Sequence, residues 1–181
     1  DIKPGGTFLL NCQWDEKELD KHLPGQVKRY IAENNIKFYT INGVKIGKEI
    51  GLGNRINTVL QSAFFKLANI IPIDDAIKYM KDAATASYSK KGEAIVKMNH
   101  DAIDAGCQQV VEVKVPESWK NAKDTKMGMS AVKCANKTLQ DFVNNIQIPC
   151  NAQQGDKLPV STFVDMADGV FPQGSAAFEK R

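Results

Sequence analysis

A turn at residues 51–57 (Gly-Leu-Gly-Asn-Arg-Ile-Asn) carries the residue types in this sequence that are best suited to binding chemistry. Two glycines lead into an amphipathic stretch whose first residues include Arg55 and the carboxamide of Asn57. Free N–H groups at a helix start, with the positive end of the helix macrodipole behind them, favour a phosphate or carboxylate. The turn therefore predicts an anion site to which Arg55 adds charge. The alternative is a purely structural turn, in which Gly51 ends one helix and Asn54 caps the next.

The rest of the sequence offers no catalytic or metal-binding pattern. The four cysteines, at positions 12, 107, 134 and 150, lack the spacing of a metal site, and neither histidine lies near one in sequence. There is no G-x-S-x-G elbow and no P-loop, and Ile56 stands where a dinucleotide-binding fingerprint needs its third glycine. We therefore predict no catalytic and no metal-binding residue. The scattered thiols favour a reducing, cytoplasmic location.

Composition excludes two further classes of function. The formal net charge of +3 comes from 24 basic and 21 acidic residues spread along 181 positions, without the basic stripe of a nucleic-acid-binding protein. No apolar run approaches the roughly 18 residues of a membrane span, and the amino terminus does not resemble a signal peptide. We expect a soluble chain, either unprocessed or cut from a longer one.

Hydrophobic patterning predicts the elements that position the turn. Short apolar runs at 6–12, 36–42 and 110–115 are typical of strands, and the helix expected between the first two makes them a parallel pair. Amphipathic helices are predicted after Asp15, from the turn to Pro72, from there to about residue 89, and over 93–108. The expected core comprises Phe8, Leu10, Phe38, Ile41, Leu60, Phe64 and Leu67.

The last third of the sequence has a different character. Residues 120–131 are polar and lysine-rich and are predicted to form a linker or loop, and 132–146 form one more amphipathic helix. Residues 149–181 show no sustained period. The sequence thus predicts an α/β fold, a partial open sheet with flanking helices, followed by an extended irregular tail. The domain boundary is placed between 148 and 149.

Several runs together resemble the pyruvate:ferredoxin (flavodoxin) oxidoreductase family, which is also called pyruvate synthase. They are KPGGTFLLN at 3–11, IKFY at 36–39, EIGLGNRIN at 49–57, QSAFFKL at 61–67, YSKKGE at 88–93 with MN at 98–99, GDKLPVS at 155–161, FPQG at 171–174 and FEKR at 178–181. The resemblance covers nearly the whole chain and is weakest over 120–135.

The resemblance implies an internal piece of a large multidomain enzyme of anaerobic metabolism. Such enzymes decarboxylate pyruvate on thiamine diphosphate with Mg²⁺, pass electrons through [4Fe–4S] clusters to ferredoxin or flavodoxin, and form acetyl-coenzyme A. Residues 1–148 resemble the later part of the gamma-type, coenzyme A-handling domain. Residues 149–181 resemble the connector toward the ferredoxin-like cluster domain. The piece alone is expected to be non-catalytic and to bind neither thiamine diphosphate nor clusters, and the intact enzyme to be a homodimer.

Two residues carry the implied contact with coenzyme A. They are Asn57, at the start of the long helix, and Asn99, whose carboxamides can pair with an adenine edge, a ribose hydroxyl or a pantetheine amide. The alternative is that both are helix or turn caps. On that reading the chain is a purely structural interdomain module with no ligand contacts of its own. The sequence leaves open the 2-oxoacid, the choice between ferredoxin and flavodoxin, and the oligomeric state.

Overall fold

The computed structural model describes residues 2–126, 128, 130–166 and 168–179. It forms two compact units, residues 1–125 and 126–181. The first unit is a mixed α/β structure in which an open three-stranded sheet is flanked by helices, as the sequence predicts. Among the described residues, no helix combines the length and the apolar character that crossing a bilayer requires.

The sheet has the order β1 (Thr7–Asn11), β2 (Lys37–Ile41), β3 (Val111–Glu112). The first two strands are parallel, with Phe8 opposite Phe38, and β3 runs antiparallel to β2. All three strands lie where the patterning predicts them, although β3 is shorter than 110–115. Beyond its end, the Val113 N–H still donates to the Phe38 carbonyl at 2.9 Å.

Six α-helices and two short 3₁₀ turns, Ser89–Lys91 and Glu117–Asn121, complete the described part of the first unit, and local sequence explains where several of the α-helices begin. Asp15 and Glu18 form a reciprocal capping box at the first of them, and Pro24 separates the first from the second. Asp74 and Asp75 lie in the first turn of the fifth, where the helix dipole favours acidic residues. The helices are α1 (Glu16–His22), α2 (Gly25–Glu33), α3 (Gly43–Ile50), α4 (Asn57–Ala68), α5 (Ile73–Tyr88) and α6 (Glu93–Gln108).

The two faces of β2 contribute to two separate hydrophobic cores. Phe38 packs with Leu19 of α1 and Ile31 of α2 on one face of the sheet. Ile41 packs with Ile46 of α3 and with α4 and α6 on the other face. This alternation follows from the two-residue period of a strand. The helices that follow β1 therefore lie on one face, and the helix that follows β2 lies on the opposite face.

The buried face of α4 differs in part from the predicted core. Phe64 is 51% exposed, so its assignment to the core is wrong, whereas Phe38 and Ile41 are buried as predicted. Leu60 and Leu67, like Phe8 and Leu10, are only partly buried. Val59 and Ala63, which the apolar period of this helix places on the same side as Leu60 and Phe64, are fully buried, and so is Ser62.

The reason is the close approach of α6. A Cβ on Gly106 would lie 2.3 Å from the Val59 carbonyl oxygen, and the Ser62 hydroxyl donates to the Ile103 carbonyl. Small residues therefore occupy the contact. The large Phe64 side chain is turned away from it.

Residues 117–125 pack onto α2, so the predicted linker or loop is ordered over residues 120–125. The Arg29 guanidinium donates to the Ala122 carbonyl at 2.6 Å and to Asp124 at 2.5 Å. Trp119 is buried, and its indole N–H donates to Asp20 at 2.8 Å. The segment closes the core that contains Phe38.

The second unit is built around a helical run that begins later than the sequence predicts. It comprises α7 (Lys137–Phe142), a π-helical turn (Val143–Gln147) and α8 (Ile148–Asn151). Val132 lies outside the helix, because Asn136 caps α7 through the Leu139 N–H. Phe142, Val143 and Ile146 form its core.

The tail is irregular, as predicted. Its described residues contain three 3₁₀ helices, at Gly155–Lys157, Val160–Met166 and Ser175–Phe178. The helical run passes through residue 148, and the division of the chain at 148/149 stays a prediction. Lys180 and Arg181, the end of the FEKR run, lie outside the described residues.

Phe38 and Phe64, two of the three phenylalanines of the predicted core, distinguish the observed fold from the predicted one. We expect Phe38→Ala to lower the free energy of unfolding by about 3–5 kcal/mol, because it empties a buried site. Phe64→Ala, a matched truncation at a half-exposed site, should cost about 1 kcal/mol or less. Urea denaturation followed by circular dichroism measures both. Equal losses would contradict the observed orientation of α4.

The Asp20 carboxylate gives the first unit a pH-dependent contact. Hydrogen bonds from the Lys28 ammonium and then the Trp119 indole hold the pKa of this carboxyl below its ordinary value of 3.8. A pKa that is lower in the folded state adds stability above the unfolded-state pKa, and this stability is lost as pH falls through the folded-state pKa.

We therefore expect Asp20→Asn to destabilise the chain at pH 7, with the difference from the unsubstituted chain shrinking below about pH 4. Denaturation curves across pH measure it. Asp82→Asn, at an exposed position of α5, is the control. A difference that is constant with pH would contradict the role of Asp20.

Candidate functional site

The glycine turn ends α3 and leaves the start of α4 open. Gly51 has φ 92°, the left-handed conformation that glycine adopts freely, and so ends α3 as one interpretation predicts. The N–H groups of Leu52 and Gly53 both donate to the Gly47 carbonyl, at 2.8 and 3.1 Å. A Cβ on Gly47 would lie 2.6 Å from the Gly53 carbonyl oxygen, so the turn folds closely over α3.

The predicted cap of the next helix is wrong. α4 begins at Asn57 with Ile56 as its N-cap residue, and in the described part of the chain no side chain caps its N–H groups. Asn54 therefore does not fill this role. Arg55 and Asn57 are both exposed at this helix start. The first turn of α4 therefore has no side-chain partner for its backbone N–H groups among the described residues.

Asn99 lies in the middle of α6 and is 4% exposed. Its interpretation as a helix or turn cap is therefore wrong. Its amide nitrogen donates to the Ile95 carbonyl at 2.9 Å, and its amide oxygen accepts from the Thr58 hydroxyl at 3.4 Å. These contacts use one of the two amide N–H groups, and the bond to Thr58 is long. The carboxamide keeps capacity for another partner.

Asn99 lies in the wall of a cleft of about 420 Å³ formed by α4, α5 and α6. Its volume lies within the range of small-molecule sites. Polar atoms come from carboxamides, hydroxyls and two tyrosines, and the rest of the wall is apolar. The lining residues are Thr58, Gln61, Phe65, Ile71, Ala76, Tyr79, Met80, Ala83, Ala84, Ser87, Tyr88, Asn99 and Ile103.

The structure joins the two predicted residues only indirectly. Asn57 does not line the cleft, but the next residue, Thr58, does and is bonded to Asn99. The sequence reasoning missed Thr58 and Gln61. They could have been found from the i, i+3, i+7 spacing of Thr58, Gln61 and Phe65. This spacing places the three side chains on one face of α4, beside the buried face.

The chain shows no metal centre in its described part. No three histidine, cysteine, aspartate or glutamate side chains of the described residues are grouped as a metal ion requires. The four cysteines are free thiols, and Cys150 is exposed.

Comparison with known proteins gives two matches to family sequence models. Residues 1–109 match the family described as pyruvate ferredoxin/flavodoxin oxidoreductase. Residues 130–181 match EKR, a domain of unknown function. The first match lies within the first compact unit, and the second lies within the second unit.

Individual relatives are similar over almost the whole chain. A pyruvate-flavodoxin oxidoreductase from Enterobacter agglomerans is 49% identical over 180 residues, and a pyruvate:ferredoxin oxidoreductase from Moorella thermoacetica is 48% identical over 180. A pyruvate dehydrogenase [NADP(+)] from Cryptosporidium parvum is 38% identical over 201. Each alignment covers 99% of this chain but only 15%, 15% and 10% of the respective relative.

The two glycines of the turn should differ in the stability lost when each is replaced by alanine. Gly51→Ala and Gly53→Ala should each cost about 1–2 kcal/mol, because both glycines have left-handed backbone, φ 92° and 61°. Gly51→Ala should cost more, since its Cβ would also lie 3.3 Å from the Met98 sulfur, whereas Gly53 has open space. Chemical denaturation of the two variants gives the order. The reverse order would contradict the packing of the turn on α6.

Proposed function

Because the chain belongs to the pyruvate ferredoxin/flavodoxin oxidoreductase family, we propose that it is one section of an enzyme that oxidatively decarboxylates pyruvate to acetyl-coenzyme A. Electrons pass to ferredoxin or flavodoxin, in line with the names of its relatives. The chain spans 15% of those relatives, so most of the chemistry belongs to other domains of the same polypeptide. The intact enzyme is a homodimer in this proposal.

The chain's own residues do not fit the redox cofactors of such an enzyme. A [4Fe–4S] cluster needs four cysteine thiolates around it, and the described residues contain no grouped set of cysteines. Thiamine diphosphate, Mg²⁺ and the clusters are therefore assigned to other domains.

The role proposed for this section is to help bind coenzyme A, with residues 1–148 as the later part of the coenzyme A-handling domain and 149–181 as a connector. The observation that carries it is the buried Asn99 carboxamide in the wall of the cleft, with an amide N–H to spare. A pantetheine arm is an apolar chain interrupted by amides. The cleft offers the matching surface, with Gln61 and Asn99 carboxamides and the Thr58 hydroxyl among aliphatic and aromatic side chains.

Asn57 and Arg55 supply the polar end of the proposed site. Both are exposed beside the uncapped start of α4, where backbone N–H groups favour an anion. We assign this surface to a phosphate-bearing part of coenzyme A. Asn57 is adjacent to Thr58, which continues into the cleft.

A second role stays open because Asn99 also bonds within its own helix. The bond to Ile95 lies within α6, and the contact with Thr58 ties α6 to α4, so Asn99 would serve packing in a purely structural interdomain module. In that role the carboxamide maintains packing, and its loss would affect folding instead of substrate use.

In the intact enzyme, Asn57→Ala and Asn99→Ala should each raise the Michaelis constant for coenzyme A about five- to thirty-fold. Each removes a hydrogen bond worth on the order of 1–2 kcal/mol. Pyruvate-dependent reduction of the enzyme should be nearly unchanged. Steady-state kinetics in coenzyme A and single-turnover reduction by pyruvate measure the two effects.

Asn151→Ala, an exposed asparagine at the end of α8, is the matched control and should change neither quantity. Unchanged coenzyme A kinetics in both site variants would overturn the assignment. Equal loss of the pyruvate half-reaction, together with a lower melting temperature, would favour the structural role.

A further inference from the structure

A second cavity, of about 610 Å³, lies at the carboxyl ends of the parallel strands β1 and β2. It shares no lining residue with the cleft that contains Asn99. Its walls come from the segment that follows β1 and from the segment that follows β2, continuing into α3. The lining residues are Leu10, Asn11, Cys12, Gln13, Trp14, Asn42, Val44, Lys45, Lys48 and Glu49. We call it the strand-end crevice.

The crevice lies where the chain leaves two neighbouring strands toward opposite faces of the sheet. The segment after β1 leads to α1, whose Leu19 packs with Phe38 on one face. The segment after β2 leads to α3, whose Ile46 packs with Ile41 on the other. When adjacent parallel strands diverge in this way, a gap opens beyond their carboxyl ends, and α/β proteins place ligands in such gaps.

The hydrogen bonds around the crevice decide which chemistry it offers. The Asn11 amide oxygen accepts from the Gly43 N–H at 2.9 Å, and the Asn42 amide oxygen accepts from the Lys45 N–H at 3.0 Å. Because both oxygens are committed to backbone, the remaining polar atoms of these two side chains are N–H donors.

The charged residues shift the balance further toward donors. Lys45 and Lys48 line the crevice and are exposed, and Glu49 is its one carboxylate. The Lys45 ammonium lies 3.8 Å from Glu49, which leaves the positive charge of Lys48 in excess. With the two asparagine amides and the Lys48 ammonium, the crevice holds three donor groups, one for each of three acceptor oxygens, whereas a carboxylate has only two oxygens. A phosphate group, with three terminal oxygens, uses them better.

Two further lining residues, Trp14 and Val44, are suited to contact with an organic group. Val44 is exposed, and the Trp14 ring is held in place by stacking on His22 at 4.5 Å between centroids, with an interplanar angle of 12°. A ring fixed in this way offers a flat apolar surface without further ordering.

We propose that the strand-end crevice binds a phosphate-bearing metabolite. The phosphate accepts from Asn11, Asn42 and Lys48, and the organic part lies against Trp14 and Val44. This inference does not rest on the coenzyme A assignment. None of its residues enters that proposal.

Two isosteric substitutions test the site with little effect on the fold. Asn11→Asp and Asn42→Asp keep the oxygen that accepts from backbone and replace the free N–H₂ donor by a charged acceptor. Asp is as good a helix cap as Asn, so Asn42→Asp should keep the melting temperature. Asn136→Asp makes the same change at the cap of α7 in the second unit and is the matched control.

Isothermal titration calorimetry on the intact polypeptide with phenyl phosphate, benzoate and inorganic phosphate gives the readout. We expect phenyl phosphate to bind at least tenfold more tightly than benzoate or inorganic phosphate. Asn11→Asp and Asn42→Asp should each weaken its binding at least tenfold, and Asn136→Asp should leave it unchanged. Asn57→Ala and Asn99→Ala should also leave it unchanged, so the two proposals fail separately.

Four results would overturn the proposal. Equal affinity for phenyl phosphate and benzoate would show that the phosphate group is not recognised. Equal affinity for phenyl phosphate and inorganic phosphate would show that Trp14 and Val44 do not contact the ligand. Unchanged binding in both Asn→Asp variants would place the ligand elsewhere. Absence of binding, with a lower melting temperature in Asn11→Asp, would show that another segment of the polypeptide fills the crevice.

Discussion

The close contact between α4 and α6 is the constraint on which the proposed coenzyme A cleft depends. Gly106 allows the helix backbones to approach, because any side chain there would meet the Val59 carbonyl, and Ser62 fixes the register by donating to the Ile103 carbonyl. With the helices this close, Asn99 of α6 reaches Thr58 at the start of α4. The cleft then opens on the side where α5 packs against both helices.

Part of this arrangement could be predicted from the sequence, and there is a physical reason why the rest could not. Alternating and 3.6-residue periods predicted the strands, the helices of the first unit and the burial of Phe38 and Ile41, because these signals are local. The exposure of Phe64 could not be predicted in the same way. It depends on how closely a helix about 40 residues away approaches, and hydrophobicity alone favours the larger side chain at the contact.

The candidate sites, too, could be predicted only where they depend on local sequence. The glycine turn was visible because left-handed backbone demands particular residue types, and Gly51 does end α3. The cap assigned to Asn54 failed because α4 begins three residues later, a boundary that local pattern defines poorly. The strand-end crevice was not predicted, although Asn11 and Asn42 each stand at a strand end. That two strands are adjacent, and that their connections diverge, are properties of the topology.

The two Asn-containing sites differ in how their carboxamides are used, and this difference bears on their roles. At the strand-end crevice, both amide oxygens are held by backbone N–H groups, so the side chains are fixed and present donors only. Asn99 is held through its nitrogen instead, and its oxygen has only a long contact with Thr58. It can therefore accept as well as donate, which suits a neutral amide of a pantetheine arm. A donor-only edge suits an anion, so the geometry favours different ligand groups at the two cavities.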